Sequence, residues 1–172
     1  EYARKKNGVR DSRHRVEHIE LILKDDIGRF KELDVIASMQ PVHPPGSDGL
    51  LLEPTISKIG NNRFNQAYAW RSIKEAGGKV TFSTDWPVSN VDPINCISNA
   101  LNRQVWAEGQ FDQRLSLIDT LKAYTIGGAY AEFKEHKKGL IQKNYLADIV
   151  VLSDRIDLVD KEQLSTLKVI TT

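Results

Sequence analysis

Three short runs rich in β-branched or apolar residues, separated by helix-patterned stretches, constrain this chain more than any other feature. They are Arg15-Val16-Glu17-His18-Ile19, Val35-Ile36-Ala37-Ser38-Met39 and Lys79-Val80-Thr81-Phe82-Ser83. Between the first two, Asp25 or Asp26 can cap a helix running through Phe30 and Leu33, whose spacing with Ile22 and Ile36 is roughly helical. The second run stops at Pro41 and the loop His43-Pro44-Pro45-Gly46. A helix is expected over residues 64–76, ending at Gly77-Gly78, and the third run ends at Asp85-Trp86-Pro87. Helices over residues 92–104 and 117–131 follow, the second opened by a capping box of Ser116 and Asp119. Parallel strands need a long crossover rather than a tight turn, so this order predicts βα units in a doubly wound sheet or a barrel.

The grammar changes after Lys138. Gly139-Leu140-Ile141, a turn at Gln142-Lys143-Asn144-Tyr145 and the run Ala147-Asp148-Ile149-Val150-Val151-Leu152 predict an antiparallel hairpin. Residues 1–137 therefore form the βα region and residues 138–172 a second one. The opening Glu1 to Lys6 reads as the tail of a helix stopped by Asn7-Gly8, and Leu167-Lys168-Val169-Ile170 as a strand without a following turn. Partner strands for this second region are expected outside the chain, which reads as a piece of something larger.

Charge narrows the function. With 24 Lys+Arg against 23 Asp+Glu among 172 residues the net charge is +1, which disfavours a nucleic-acid partner held by phosphate neutralisation. The one basic cluster, Arg4-Lys5-Lys6 with Arg10, Arg13 and Arg15, is interleaved with acidic residues and reads as a solvated helix end. No apolar run approaches the ~18 residues of a membrane span, and no signal peptide is visible. The single Cys96 excludes an intrachain disulfide and suits a reducing compartment. A soluble, cytoplasmic protein is expected.

Chemistry in parallel βα folds gathers past the C-terminal ends of the strands. Three possible metal ligands stand there: His18 at the first run, His43 after the second and Asp85 after the third. Two imidazoles and a carboxylate suit Zn²⁺ and related divalent ions. Each residue also has a plainer reading, as a hydrogen-bonded structural histidine or as an Asx-turn at a strand end. His14 lies four residues from His18, about 13 Å along a strand, which excludes it from the same ion and leaves a structural role. His136, within Lys134-Glu135-His136-Lys137-Lys138, reads as a solvent residue.

Taken together, Arg13-His14-Arg15-Val16-Glu17-His18, Ser38-Met39-Gln40-Pro41-Val42-His43 and Ser83-Thr84-Asp85-Trp86-Pro87-Val88 resemble, in order and spacing, three motifs of the amidohydrolase superfamily, closest to its YtcJ-like branch (amidohydrolase family 3). Ala123-Tyr124-Thr125-Ile126-Gly127-Gly128-Ala129-Tyr130 and the 139–152 segment resemble that family's last helix and returning β-sandwich. Lys143-Asn144 stands where the family usually has Gly, and Asn tolerates the left-handed backbone such a turn needs.

The resemblance implies a (β/α)8 barrel with a small β-sandwich, of which this chain is the C-terminal half. His18 would end strand five, His43 strand six and Asp85 strand eight, with strand seven near Leu50-Leu51-Leu52. The His-x-His of strand one and the metal-bridging Lys of strand four would belong to a missing N-terminal half, with which, or with a second copy, the open sheet edges would pair. The implied activity is hydrolysis of a non-peptide carbon–nitrogen bond, in an amide or N-formyl amide, by water activated at one or two divalent ions, Zn²⁺ first among them. His18, His43 and Asp85 would hold metal. Asp85 would also move the proton, while Trp86 and Pro87 shape the pocket rim. Arg63 and Arg103 could pair with an anionic substrate or with surface carboxylates. A catalytically incomplete half-barrel serving as a binding or assembly module, and a metal phosphoesterase, are the competing readings.

Overall fold

Strands β1 (Arg15–Glu17), β2 (Ile36–Met39) and β3 (Lys79–Phe82) form one parallel sheet in the order β1-β2-β3 in the computed structural model, which describes residues 1–47 and 51–172. Arg15 stands opposite Ile36, and Ile36 opposite Lys79. Pairing continues past the strand ends, where the His18 N–H donates to Ser38 O (2.8 Å) and the Ser83 N–H to Met39 O (3.1 Å). Every residue of β2 is buried, as expected for the central strand of a parallel sheet covered on both faces. The three strand ends therefore lie side by side.

The helices are α1 (Tyr2–Asn7), α2 (Arg29–Glu32), α3 (Leu52–Ile59), α4 (Trp70–Glu75), α5 (Pro93–Asn102), α6 (Leu117–Tyr124) and α7 (Ile126–Ala131). Trp70 and Ile73 of α4 are fully buried in one core with Phe30, Ala37, Met39 and Phe82, and Trp70 meets Phe82 edge-on at 5.6 Å between centroids. Helix α5 starts where Asp92 Oδ1 accepts from the Ile94 and Asn95 N–H groups, with Pro93 at the first helical position. The Ser116 hydroxyl likewise caps α6 by accepting from the Asp119 N–H (3.1 Å). A second core joins Ile94 and Ile97 of α5 to Leu164 and Leu167, near the 3-10 turn Lys161–Thr166.

Several expected elements change. Strand β2 pairs directly with β3, so among the described residues no strand lies between them. Of the stretch expected to hold a seventh strand, Leu50 lies outside the described residues and Leu52 opens α3. The helix expected over 64–76 breaks into a 3-10 turn (Asn61–Gln66) and α4, with Tyr68 at φ 47° between them. Tertiary pairing wins here: the Tyr68 N–H donates to Glu20 O and the Ile22 N–H to Gln66 O, both at 3.0 Å. Asp25 and Asp26 fall inside a 3-10 turn (Lys24–Asp26) ahead of the short α2 instead of capping one long helix. The 117–131 helix splits at Thr125 (φ −110°, ψ −89°) into α6 and α7. Gly127 then passes so close to Lys122 O and Val80 O that a Cβ would sit 3.1 Å from each.

The predicted 139–152 hairpin does not form. Strand β4 (Val151–Leu152) pairs antiparallel with β5 (Val169–Thr171), so the final apolar alternation finds its partner within the chain. The 137–146 segment is held elsewhere: the Leu146 N–H donates to Lys137 O and the Tyr145 hydroxyl to Glu135 O, both at 2.7 Å. Asn144 does adopt the left-handed conformation anticipated for its turn, at φ 71°. Among the described residues no helix is long and apolar enough to cross a membrane.

Candidate metal centre

Each strand end turns sharply and delivers one polar side chain. After β1, His18 (φ 67°) and Ile19 (φ 52°) are both left-handed, with buried Ile19 anchoring the turn. After β2, the His43 N–H donates to Gln40 O (3.1 Å), closing a turn whose prolines 41, 44 and 45 are fully buried. After β3, Asp85 sits at φ 59°, with its carbonyl accepting from the Val88 N–H (2.8 Å). Left-handed backbone at bulky or charged residues costs free energy, and such costs concentrate where side chains must be aimed.

The result is convergence. Asp85 Oδ2 lies 3.2 Å from His43 Nε2 and 3.8 Å from His18 Nδ1, and one ligand atom from each of the three lies within 4.8 Å of the others. The two imidazole centroids are 5.4 Å apart. Burial pushes the His43 pKa down, outweighing the upward pull of the Asp85 carboxylate, so its ring is neutral and carries a lone pair. His43 Nε2 is buried and has no hydrogen-bond partner among the described residues, although Asp85 Oδ2 stands 3.2 Å away. An orphaned, neutral imidazole nitrogen facing a carboxylate and a second imidazole fits a divalent metal ion, with His18, His43 and Asp85 as the residues to hold it.

The chain matches the family model described as Amidohydrolase family over residues 1–172. It belongs to the amidohydrolase family. The protein LONG AFTER FAR-RED 3 of Arabidopsis thaliana is 33% identical over 86% of this chain and 25% of its own length. The YtcJ protein of Bacillus subtilis (strain 168) is 29% identical over 95% of this chain and 31% of its own. The N-substituted formamide deformylase of Arthrobacter pascens is 27% identical over 65% of this chain and 21% of its own. The chain thus spans a third or less of the length of these relatives. Among solved structures, a metal-dependent hydrolase of Pyrococcus furiosus superposes with a TM-score of 0.66 at 28% identity, covering 85% of this chain and 28% of that one.

Within this amidohydrolase chain the other expected site residues divide. Trp86, 66% exposed, and Pro87, also exposed, follow Asp85 directly in the chain. Arg63 does not join it: its Nε donates to Ile59 O (2.6 Å) and its Nη2 to Lys58 O (2.8 Å), satisfying carbonyls at the end of α3. Arg103 is neither a surface ion-pair residue nor a substrate arm. It is 5% exposed, donates to Tyr68 O (2.6 Å) and Ala67 O (2.9 Å), and lies over the Trp70 and Trp106 rings. Burial lowers its pKa to about 10. His14 is exposed, and only its backbone carbonyl is engaged in the sheet, accepting from the Ile36 N–H (2.8 Å). His136 is exposed.

Sequence reasoning overlooked Gln40. Its Oε1 lies 2.9 Å from His18 Nδ1, and its Nε2 donates to Ser83 Oγ at 2.9 Å, so one amide spans all three strand ends. The available signal was a polar amide closing an apolar strand, immediately before a proline.

Proposed function

We propose that this chain supplies the C-terminal half of a (β/α)8-barrel hydrolase that cleaves a non-peptide carbon–nitrogen bond in a small molecule, an amide or N-formyl amide. The observation that carries the reading is the convergence of His18, His43 and Asp85, with His43 Nε2 buried and unpartnered. The modest share of each relative's length that the chain matches supports a larger parent, and the formamide deformylase among those relatives supports the bond class. In this reading β1 and β2 are barrel strands five and six, and β3 is the carboxylate-bearing strand although it pairs directly with β2. Residues 138–172 belong to the β-sandwich.

A divalent ion held here, Zn²⁺ by the character of its donors, supplies Lewis acidity toward a water molecule and a substrate carbonyl. His43, kept neutral by burial, and His18 contribute nitrogen donors. Asp85 accepts a proton from the attacking water and returns it to the departing nitrogen, so that cleavage yields a carboxylic acid and an amine. Trp86 and Pro87 form the apolar lip over which the substrate enters.

Asp85→Asn in the parent keeps the side-chain shape but removes the base. Turnover of N-formyl and N-acyl amines should fall by about 10²–10⁴-fold with an unchanged melting profile. Near-wild-type amide turnover in that variant would refute the role, and a parent that cleaves only phosphate esters would refute the bond class.

A further inference from the structure

The two prolines after His43 make a stiff lever. A proline fixes its own φ and disfavours helical backbone in the residue before it, so little freedom remains between the His43 backbone and the Pro45 carbonyl. The Ser47 N–H closes a turn on Pro44 O at 3.1 Å, with Gly46 at φ 84°. Pro45 O, on the central peptide of that turn, takes no part in the closing bond and accepts instead from Trp106 Nε1 at 3.2 Å. We propose that Trp106 is a positioning residue of the metal centre, aiming His43 through the Pro45 carbonyl, an inference that rests on reading His18, His43 and Asp85 as metal ligands.

A side chain can aim another only if it is itself held. The Trp106 N–H donates to Gln110 Oε1 at 2.7 Å, and Gln110 Nε2 donates to Phe64 O at 3.1 Å. The indole meets the Phe64 ring edge-on at 5.5 Å and the Tyr68 ring at 6.3 Å, with the buried Arg103 guanidinium 5.3 Å from its centroid. The same stretch of chain touches the His43 loop a second time: a Cβ on Gly46 would lie 3.1 Å from Gln104 Oε1. Tyr68 carries the contact further, since its N–H donates at 3.0 Å to the carbonyl of Glu20, two residues past His18. One indole thus bears directly on the turn after His43 and, through Tyr68, on the turn after His18. An aromatic ring that only filled the core would not need its N–H aimed at the carbonyl of a ligand-bearing loop.

Trp106→Phe keeps an aromatic ring and deletes the N–H donor. Co²⁺ titration of the 172-residue chain, followed by its visible absorption bands, with far-UV circular dichroism and the melting midpoint as folding controls, tests the proposal. Loss of one hydrogen bond that favours the binding arrangement should weaken Co²⁺ binding by about 3–10-fold and shift the bands. A lower melting midpoint with wild-type affinity and bands in the folded variant would show a core-filling ring only and overturn the proposal. Linkage supplies a test without substitution: if the Trp106–Pro45 bond favours metal binding, bound metal must favour that bond. Saturating Zn²⁺ should then slow hydrogen exchange of the wild-type Trp106 indole N–H by a similar factor, as read by NMR. Should Trp106→Phe fail to fold, an unchanged exchange rate would be equally decisive against the proposal. A His43→Ala variant that titrates like wild type would instead remove the metal-centre reading beneath it.

Discussion

His18 and His14 lie on the same stretch of chain, and the backbone treats them differently. The left-handed turn at His18 and Ile19 swings the His18 ring toward Asp85, while His14 contributes only its carbonyl to the sheet. His18→Ala in the metal-loaded parent should therefore lower metal content, whereas His14→Ala should leave it unchanged. Metal analysis of the two folded variants checks this, and equal loss from both would mean that the ligand is misplaced. His18, His43 and Asp85 were legible as candidates because each ends or follows an apolar run. Gln40 was not, because a lone Gln has no ligand spacing. Its importance depends on where Ser83 and His18 lie across the sheet. Arg63 and Arg103 misled for the same reason: a guanidinium's partners here are backbone carbonyls, which no side-chain pattern announces.

At the scale of elements, tertiary pairing decides what local propensity leaves open. The guanidinium of Arg103 holds the carbonyls of residues 67 and 68, and that segment pairs with residues 20–22 just beyond His18. A continuous 64–76 helix would forfeit this brace. Arg13 plays a comparable part ahead of β1. It bonds both Glu135 oxygens, at 2.7 and 2.8 Å, and stacks on the rings of Tyr130 and Phe133. The hydrogen bonds from Arg13 hold the Glu135 pKa down to about 2, from an ordinary 4.5. A depressed carboxylate pKa means that the unfolded chain binds more protons, so this contribution is present above pH 4.5 and is lost as pH falls toward 2. Glu135→Gln should lower stability at neutral pH and flatten the acid limb over that window, as read from denaturation midpoints against pH. An unchanged slope would show that the pair adds nothing. The three parallel strands, the Ser116 cap and the left-handed Asn144 were readable because each is a local signal. The β4–β5 pairing was not, because its partner is a sequence-distant run and the nearer candidate is held by Lys137 and Glu135.

For the whole molecule, the sheet sets three strand ends beside one another, and parallel βα folds gather their chemistry past such ends. Three protein donors, His18, His43 and Asp85, are the bare minimum of an ordinary zinc site. In the proposed half-barrel reading, further ligands, a His-x-His pair and a Lys, come from the other half of the parent. On that account the chain alone binds metal weakly and turns over little substrate. The most direct test is metal content and amide hydrolysis of this 172-residue chain alone, and then mixed with the N-terminal half of its parent. The account predicts weak metal retention and negligible turnover alone, with tight binding and activity restored on mixing. Two tightly held ions and full activity in the isolated chain would contradict it.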